Sequence, residues 1–117
     1  MGHERLRCLG VLMETAKRVP AIVKRAGRGN ANLVDQFKRA LSSGILNLVE
    51  GNSRTSAKER ARFFDIAIAS IAEAAAAIEI LAAYGAISGE EAGEVSEQLR
   101  IGYAMTINLK RATAARI

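Results

Sequence analysis

Residues Ser43 to Glu73 read SGILNLVEGNSRTSAKERARFFDIAIASIAE, and this stretch decides the fold because it links two amphipathic helices through a short polar turn. Glu50-Gly51-Asn52-Ser53-Arg54-Thr55 resists helix continuation: Gly51 suits a left-handed C-cap, and Asn52, Ser53 and Thr55 favour turns. A helix is therefore predicted to stop near Glu50. Ser56 followed three residues later by Glu59 is a capping-box pattern, in which each side chain satisfies a backbone N–H of the first turn. The next helix is predicted to start at Ala57.

Working outward, hydrophobic spacing predicts four helices, at about 4–26, 32–50, 57–84 and 88–114. In the first, Leu6, Leu9, Met13, Ala16, Pro20 and Val23 alternate three and four apart and are predicted to form the seam. Pro20 removes a backbone hydrogen bond and clashes with the preceding turn, at roughly 3 kcal/mol, so a break is predicted near Val19 with the helix restarting at the proline. Asn32 is the predicted N-cap of the second helix, whose core face holds Phe37, Leu41, Gly44 and Leu48, flanked by Val34 and Ile45. Gly44 in mid-helix implies a close neighbour or a bend.

The third helix is predicted to end at Gly85, and between Ile66 and Ala83 its only charges are Glu73 and Glu79. A helix apolar nearly all round is buried on more than one side. Its two glutamates and polar flanks argue against a membrane span, which leaves a second copy of the chain as the expected cover for its outer side. In the fourth helix Ser88 and Glu91 repeat the capping pattern, and Val95, Leu99, Gly102, Thr106 and Leu109 keep the seam spacing. Glu90, Glu91, Glu94 and Glu97 near its start and Lys110, Arg111 and Arg116 near its end complement the helix dipole. The expectation is an all-α, single-domain, antiparallel up-down four-helix bundle over residues 1–117.

The net charge of +5 is concentrated: residues 1–39 carry nine Lys/Arg against three acids, and the remainder carries eight against nine. Such a concentration makes a local positive field that attracts phosphate. On the first helix Arg7, Lys17, Arg18, Lys24, Arg25 and Arg28 fall within about 120° of the helical wheel, and Lys38 and Arg39 follow on the second. These eight are the candidate nucleic-acid-binding residues. With three phenylalanines and two tyrosines, the phenylalanines mostly at seam positions, no platform for stacking bases is evident, so contact is expected with the backbone rather than base edges. An ordinary solvated basic face accounts for the same pattern.

Catalysis is poorly supported. The sole histidine is His3, and Cys8 has no base within its helix, so it reads as a small packing residue. No Glu-x-x-His pair, zinc ligand set, P-loop or dinucleotide fingerprint is present, and no cofactor or metal is expected. A single cysteine and an N-terminus without a clean apolar leader suit the cytoplasm.

Ser43, Leu46-Asn47-Leu48-Val49-Glu50-Gly51, Arg54-Thr55-Ser56, Lys58, Arg60-Ala61-Arg62-Phe63-Phe64, Ile66-Ala67, Ser70 and Glu73 resemble, in order and spacing, the bacterial four-helix bundle family of 23S rRNA intervening-sequence proteins. That family is related to the accessory variability determinant of diversity-generating retroelements. The similarity is strongest from about Ala40 to Leu81; Gly44 and Ile45 depart from it, since the family usually has an isoleucine and often a proline there. The resemblance implies a non-enzymatic bundle, often a ring-shaped homopentamer, with a role beside nucleic acid. Within the motif, Asn47, Glu50, Arg54, Arg62 and Glu73 could hold a ligand, but pairing of Glu50 or Glu73 with Arg54 or Arg62 to fix the corner and a subunit contact explains them better. The leading expectation is thus an accessory protein that binds RNA or DNA backbone through a basic face of an oligomer. The alternative is a scaffold that recruits an acidic protein partner such as a reverse transcriptase.

Overall fold

Lys17 ends the first helix and Val19 begins the second, because Pro20 falls in the new first turn, where its missing N–H leaves no hydrogen bond unmade. This computed structural model describes residues 2–115. They form α1 (Gly2–Lys17), α2 (Val19–Ala26), a one-turn 3-10 helix (Arg28–Asn30), α3 (Ala31–Ser53), α4 (Ala57–Ala83) and α5 (Gly89–Ala114). Since α1 and α2 are one arm interrupted at Arg18, the chain is a single all-α domain of four helical arms, with no strand among the described residues. It measures 46 × 21 × 19 Å. The long dimension follows from α4, whose 27 residues span about 40 Å at the α-helical rise. Arg116, expected to complement the dipole of the last helix, lies outside the described residues.

The serine half of each predicted capping box in α4 and α5 is present, while the Glu59 and Glu91 side chains pair with Arg62 and Arg25 instead of reaching back to the serine N–H. Ser56 Oγ accepts from the Glu59 N–H at 3.3 Å and Ser88 Oγ from the Glu91 N–H at 3.0 Å. Gly85 takes the left-handed conformation at φ 74°, and the Ala86 and Gly85 N–H groups donate back to the Leu81 and Ala82 carbonyls, each at 2.9 Å. That is a Schellman ending, which few residues other than glycine adopt without strain.

The ends of α3 differ from expectation. It starts at Ala31 rather than Asn32, and Asn30 is drawn away from capping because its amide donates to the Ala26 carbonyl at 2.8 Å, tying the end of α2. It also runs past Glu50 to Ser53, so Gly51 is helical and buried rather than a C-cap. The Phe64 ring occupies the space beside it, and a Cβ at Gly51 would stand 2.5 Å from Cε1. Gly44 plays the expected role of close approach, its missing Cβ leaving room for Ile71 Cγ1.

The seam assigned to the first arm is a second correction. Leu6 is 71% exposed, Met13 44% and Val23 41%, and of the predicted seam Leu9 and Ala16 pack at the edge of the core, while the arm's buried face is Cys8, Leu12, Thr15, Ile22 and Ala26. These recur at steps of four, three, seven and four, which is also a helical spacing, so spacing alone supports two stripes; the tight fit of Leu12 against Gly102 belongs to the buried one. Around these residues Phe37, Leu41, Leu48, Phe64, Ile71, Ile78, Leu81, Val95 and Leu99 complete one core, with the predicted faces of α3 and α5 turned inward. Along α3 and α4 the contacts run in opposite order, Ser43 meeting Ser70 and Gly51 meeting Phe64. The same holds for α1 and α5, where Cys8 meets Thr106 and Thr15 meets Gln98. By length and composition α4 is apolar enough to cross a membrane, and its outer side exposes Ile66, Ala69, Ala72, Ala76, Ile80 and Ala83.

Candidate nucleic-acid interface

The corner from α2 into α3 turns at Gly27, whose φ of 75° and ψ of 173° are open to glycine and strained for other residues. The turn sets Lys24 and Arg28 beside the first two turns of α3, where Lys38 projects one turn beyond Val34. Between them lies a cleft of about 400 Å³. Val23, Ala31 and Val34 make its apolar lining, Lys24, Arg28 and Lys38 bring three positive charges, and Asp35 brings one negative charge. Asp35 is already engaged, because its carboxylate pairs with Arg39 at 2.9 Å. Lys24, Arg28 and Lys38 form no ion pair among the described residues, and all three are exposed. Such an arrangement attracts an anion and gives an apolar group attached to it somewhere to rest.

The other candidate cations are placed differently. Arg18 donates to Glu94 at 3.1 Å, and Arg25 pairs with Glu91, whose side chain is 10% exposed. The basic flank of the broken arm therefore docks against the acidic start of α5, which offsets part of the charge excess of the first third. Lys17 pairs with Glu14 at 3.0 Å. Arg7 lines a separate hollow between α1 and α5, about 25 Å along the arm from Lys24 by helical rise. The six residues that share a stripe on the first wheel thus occupy several environments in space, and of the two on α3 Lys38 joins the cleft while Arg39 is paired with Asp35. Sequence spacing missed the cleft because Val23 was assigned to the seam; the signal was the four-residue step from Lys24 to Arg28, repeated from Val34 to Lys38.

The motif residues lie along the α3–α4 pair, with Glu50, Gly51, Arg54, Ser56, Arg62 and Phe63 at the corner and Ser43, Asn47, Ser70 and Glu73 farther along the helices, so Glu73 does not join the corner charges. Ser43 and Ser70 hydroxyls meet at 2.8 Å, and the Asn47 amide donates to the Ser43 carbonyl at 2.8 Å and its hydroxyl at 3.2 Å. Glu50 pairs with Arg54 at 2.9 Å as expected, whereas Arg62 pairs with Glu59 at 3.1 Å. The two guanidinium groups stand over Phe63, at 4.9 Å and 4.5 Å from its centroid, which adds cation–π attraction to the corner. Glu73 is exposed without an ion-pair partner among the described residues, in a shallow depression with Asp65, Ile66, Ala69 and Ser70. Gly51 belongs to the motif as the seat of Phe64.

Cys8 is fully buried, and burial pushes its thiol above the usual range while a hydrogen bond with Thr106 acts the other way. A protonated thiol is a poor nucleophile and a poor metal ligand. Among the described residues no group of three His, Cys, Asp or Glu could hold a metal.

Residues 4–108 match the family described as 23S rRNA-intervening sequence protein. The chain belongs to this family. No individually curated protein matches the sequence. Membership in the 23S rRNA-intervening sequence protein family extends well beyond the Ala40–Leu81 motif block, over all four arms, and takes in the α2–α3 cleft as well as the α3–α4 corner.

Proposed function

We propose that this member of the 23S rRNA-intervening sequence protein family is a non-catalytic, cytoplasmic, RNA-associated accessory protein that holds nucleic-acid backbone on cations at the α2–α3 corner. The observation that carries this reading is the convergence of Lys24, Arg28 and Lys38 on one cleft without ion-pair partners among the described residues. Paired surface cations gain little from an added phosphate, whereas unpaired ones release counterions and bind with salt-dependent affinity. Arg39 is held by Asp35 and Arg7 lies in a separate hollow, so neither adds to the cleft; Arg18 and Arg25 serve first to join the first arm to α5.

The reading includes an antiparallel up-down bundle that self-associates into a ring, a pentamer by family resemblance. The support is the outer side of α4, where Ile66 and Ile80 are 38% and 39% exposed among alanines. A bilayer is a poor alternative cover, since α3 and α5 pack along α4 and carry Arg39, Glu50, Glu97 and Arg100 outward at the same depth. Repetition around a ring would multiply the cleft cations into a band.

Filter binding of a structured RNA and of a duplex DNA at 50 and 200 mM salt tests the proposal. A steep loss with salt, and loss on Lys24→Glu with Lys38→Glu, is expected. No binding at the lower salt removes it. A protein partner that survives nuclease treatment in a pull-down and depends on the same two lysines would favour the scaffold reading instead.

A further inference from the structure

The α2–α3 cleft is more than a patch of charge. Lys24, Arg28 and Lys38 outnumber Asp35, whose carboxylate Arg39 already holds, so the cleft suits an anion, but a bare phosphate has no use for the apolar lining of Val23, Ala31 and Val34. Nor would a purely apolar ligand need three cations. The start of α3 lies in the same wall, with neither a side-chain cap nor an acidic residue in its first turn, so the positive end of its dipole adds to the same field. At about 400 Å³ the space lies within the range of about 300–1,000 Å³ that small-molecule sites occupy. We infer that the cleft takes one nucleotide unit, its phosphate on Lys24, Arg28 and Lys38 and its base against Val23, Ala31 and Val34. This rests on the nucleic-acid reading for its biological setting but not for its chemistry. The unit has two sources, a free mononucleotide or an unpaired nucleotide of a single strand, of which the 5′ end with its terminal phosphate resembles the mononucleotide most, because a base inside a duplex cannot leave its stack to reach the lining without unpairing.

Titration of the full-length protein with inorganic phosphate, adenosine 5′-monophosphate, and a single-stranded RNA decamer carrying either a 5′-phosphate or a 5′-hydroxyl tests this. Adenosine 5′-monophosphate is expected to bind about tenfold tighter than phosphate, by the apolar area the base buries against the aliphatic lining rather than by stacking. Val23→Ser should erase that preference while keeping phosphate binding, and Lys24→Glu should weaken both, with Arg100→Glu on α5 as a control of equal charge change. Unchanged melting temperatures keep loss of binding distinct from loss of fold. A 5′-phosphate preference in the decamer assigns the site to strand ends; binding of the mononucleotide without either decamer keeps the cleft and removes the nucleic-acid reading. Equal, salt-sensitive binding of both decamers, unaffected by Val23→Ser, keeps backbone binding and overturns the cleft. Binding of phosphate as tightly as the mononucleotide, or of an acidic hexapeptide equally well, makes the site a general anion trap and also overturns it.

Discussion

The ring of Phe64 sits where a side chain at Gly51 would begin, with Cε1 2.5 Å and Cδ1 2.7 Å from the position of an added Cβ. The two residues close the α3–α4 corner, and Phe64 is fully buried, so it has little room to retreat. Gly51→Ala would gain up to about 1 kcal/mol of helix propensity but lose more by overpacking, for a net cost of about 1–3 kcal/mol. Urea denaturation checks this, and Phe64→Leu in the same chain should recover part of the loss. Equal stability of Gly51→Ala and the parent would show that the corner is loosely packed.

Arg25 and Glu91 should couple α2 to α5 far more strongly than their sequence separation suggests. Glu91 is nearly buried, so Arg25→Met leaves a carboxylate with one oxygen already unpartnered and the other newly so, at about 1–3 kcal/mol. Arg39→Met breaks a pair in which both side chains are more than half exposed, and should change stability by less than about 0.5 kcal/mol. Matched urea midpoints for the two variants give the comparison directly.

Cys8 predicts a pH dependence of stability. Its folded pKa is raised above the ordinary 9.0 chiefly by burial, so the folded state holds the proton more tightly than the unfolded state. The stabilisation is fully present below the unfolded pKa and is lost as pH rises through the folded one. Unfolding midpoints should therefore hold through neutral pH and fall above about pH 9, less steeply in Cys8→Ala, whose own cost at pH 7 is about 1 kcal/mol. Thiol labelling at pH 7.5 should proceed only as fast as the chain opens.

The outer side of α4 gives a prediction about assembly. Ala76 is exposed in the single chain, midway between Ile66 and Ala83 on the outer face. Ala76→Arg should leave helix content and the melting curve of the separated chain intact, yet reduce sedimentation from oligomer to monomer, because a charge desolvated at a packed interface without a partner is costly. Sedimentation of the parent as a monomer at micromolar concentration would contradict the proposed ring.

Much of the fold was legible because it rests on local chemistry. Ser56 and Ser88 cap their helices through hydroxyls three residues from the N–H they accept, and Gly85 ends α4 through its own φ; neither needs a distant partner. The core faces of α3 and α5 were readable for a related reason: each has one apolar stripe. The first arm has two, and only the fit of Leu12 beside Gly102 chose between them. Gly51 misled because a glycine before polar residues looks the same whether it frees the backbone or makes way for a ring.

Local sequence was enough for four helical arms, the serine caps of α4 and α5, the Gly85 ending, the break before Pro20 and the family motif, since each depends on residues close together in the chain. Tertiary structure alone decided which cations keep their charge available. Arg18 and Arg25 lose theirs to Glu94 and Glu91, more than 60 residues away in the chain, while Lys24, Arg28 and Lys38 are brought around one cleft by the Gly27 turn. Charge acts through distance in space, and no helical wheel records what a neighbouring helix brings to meet it.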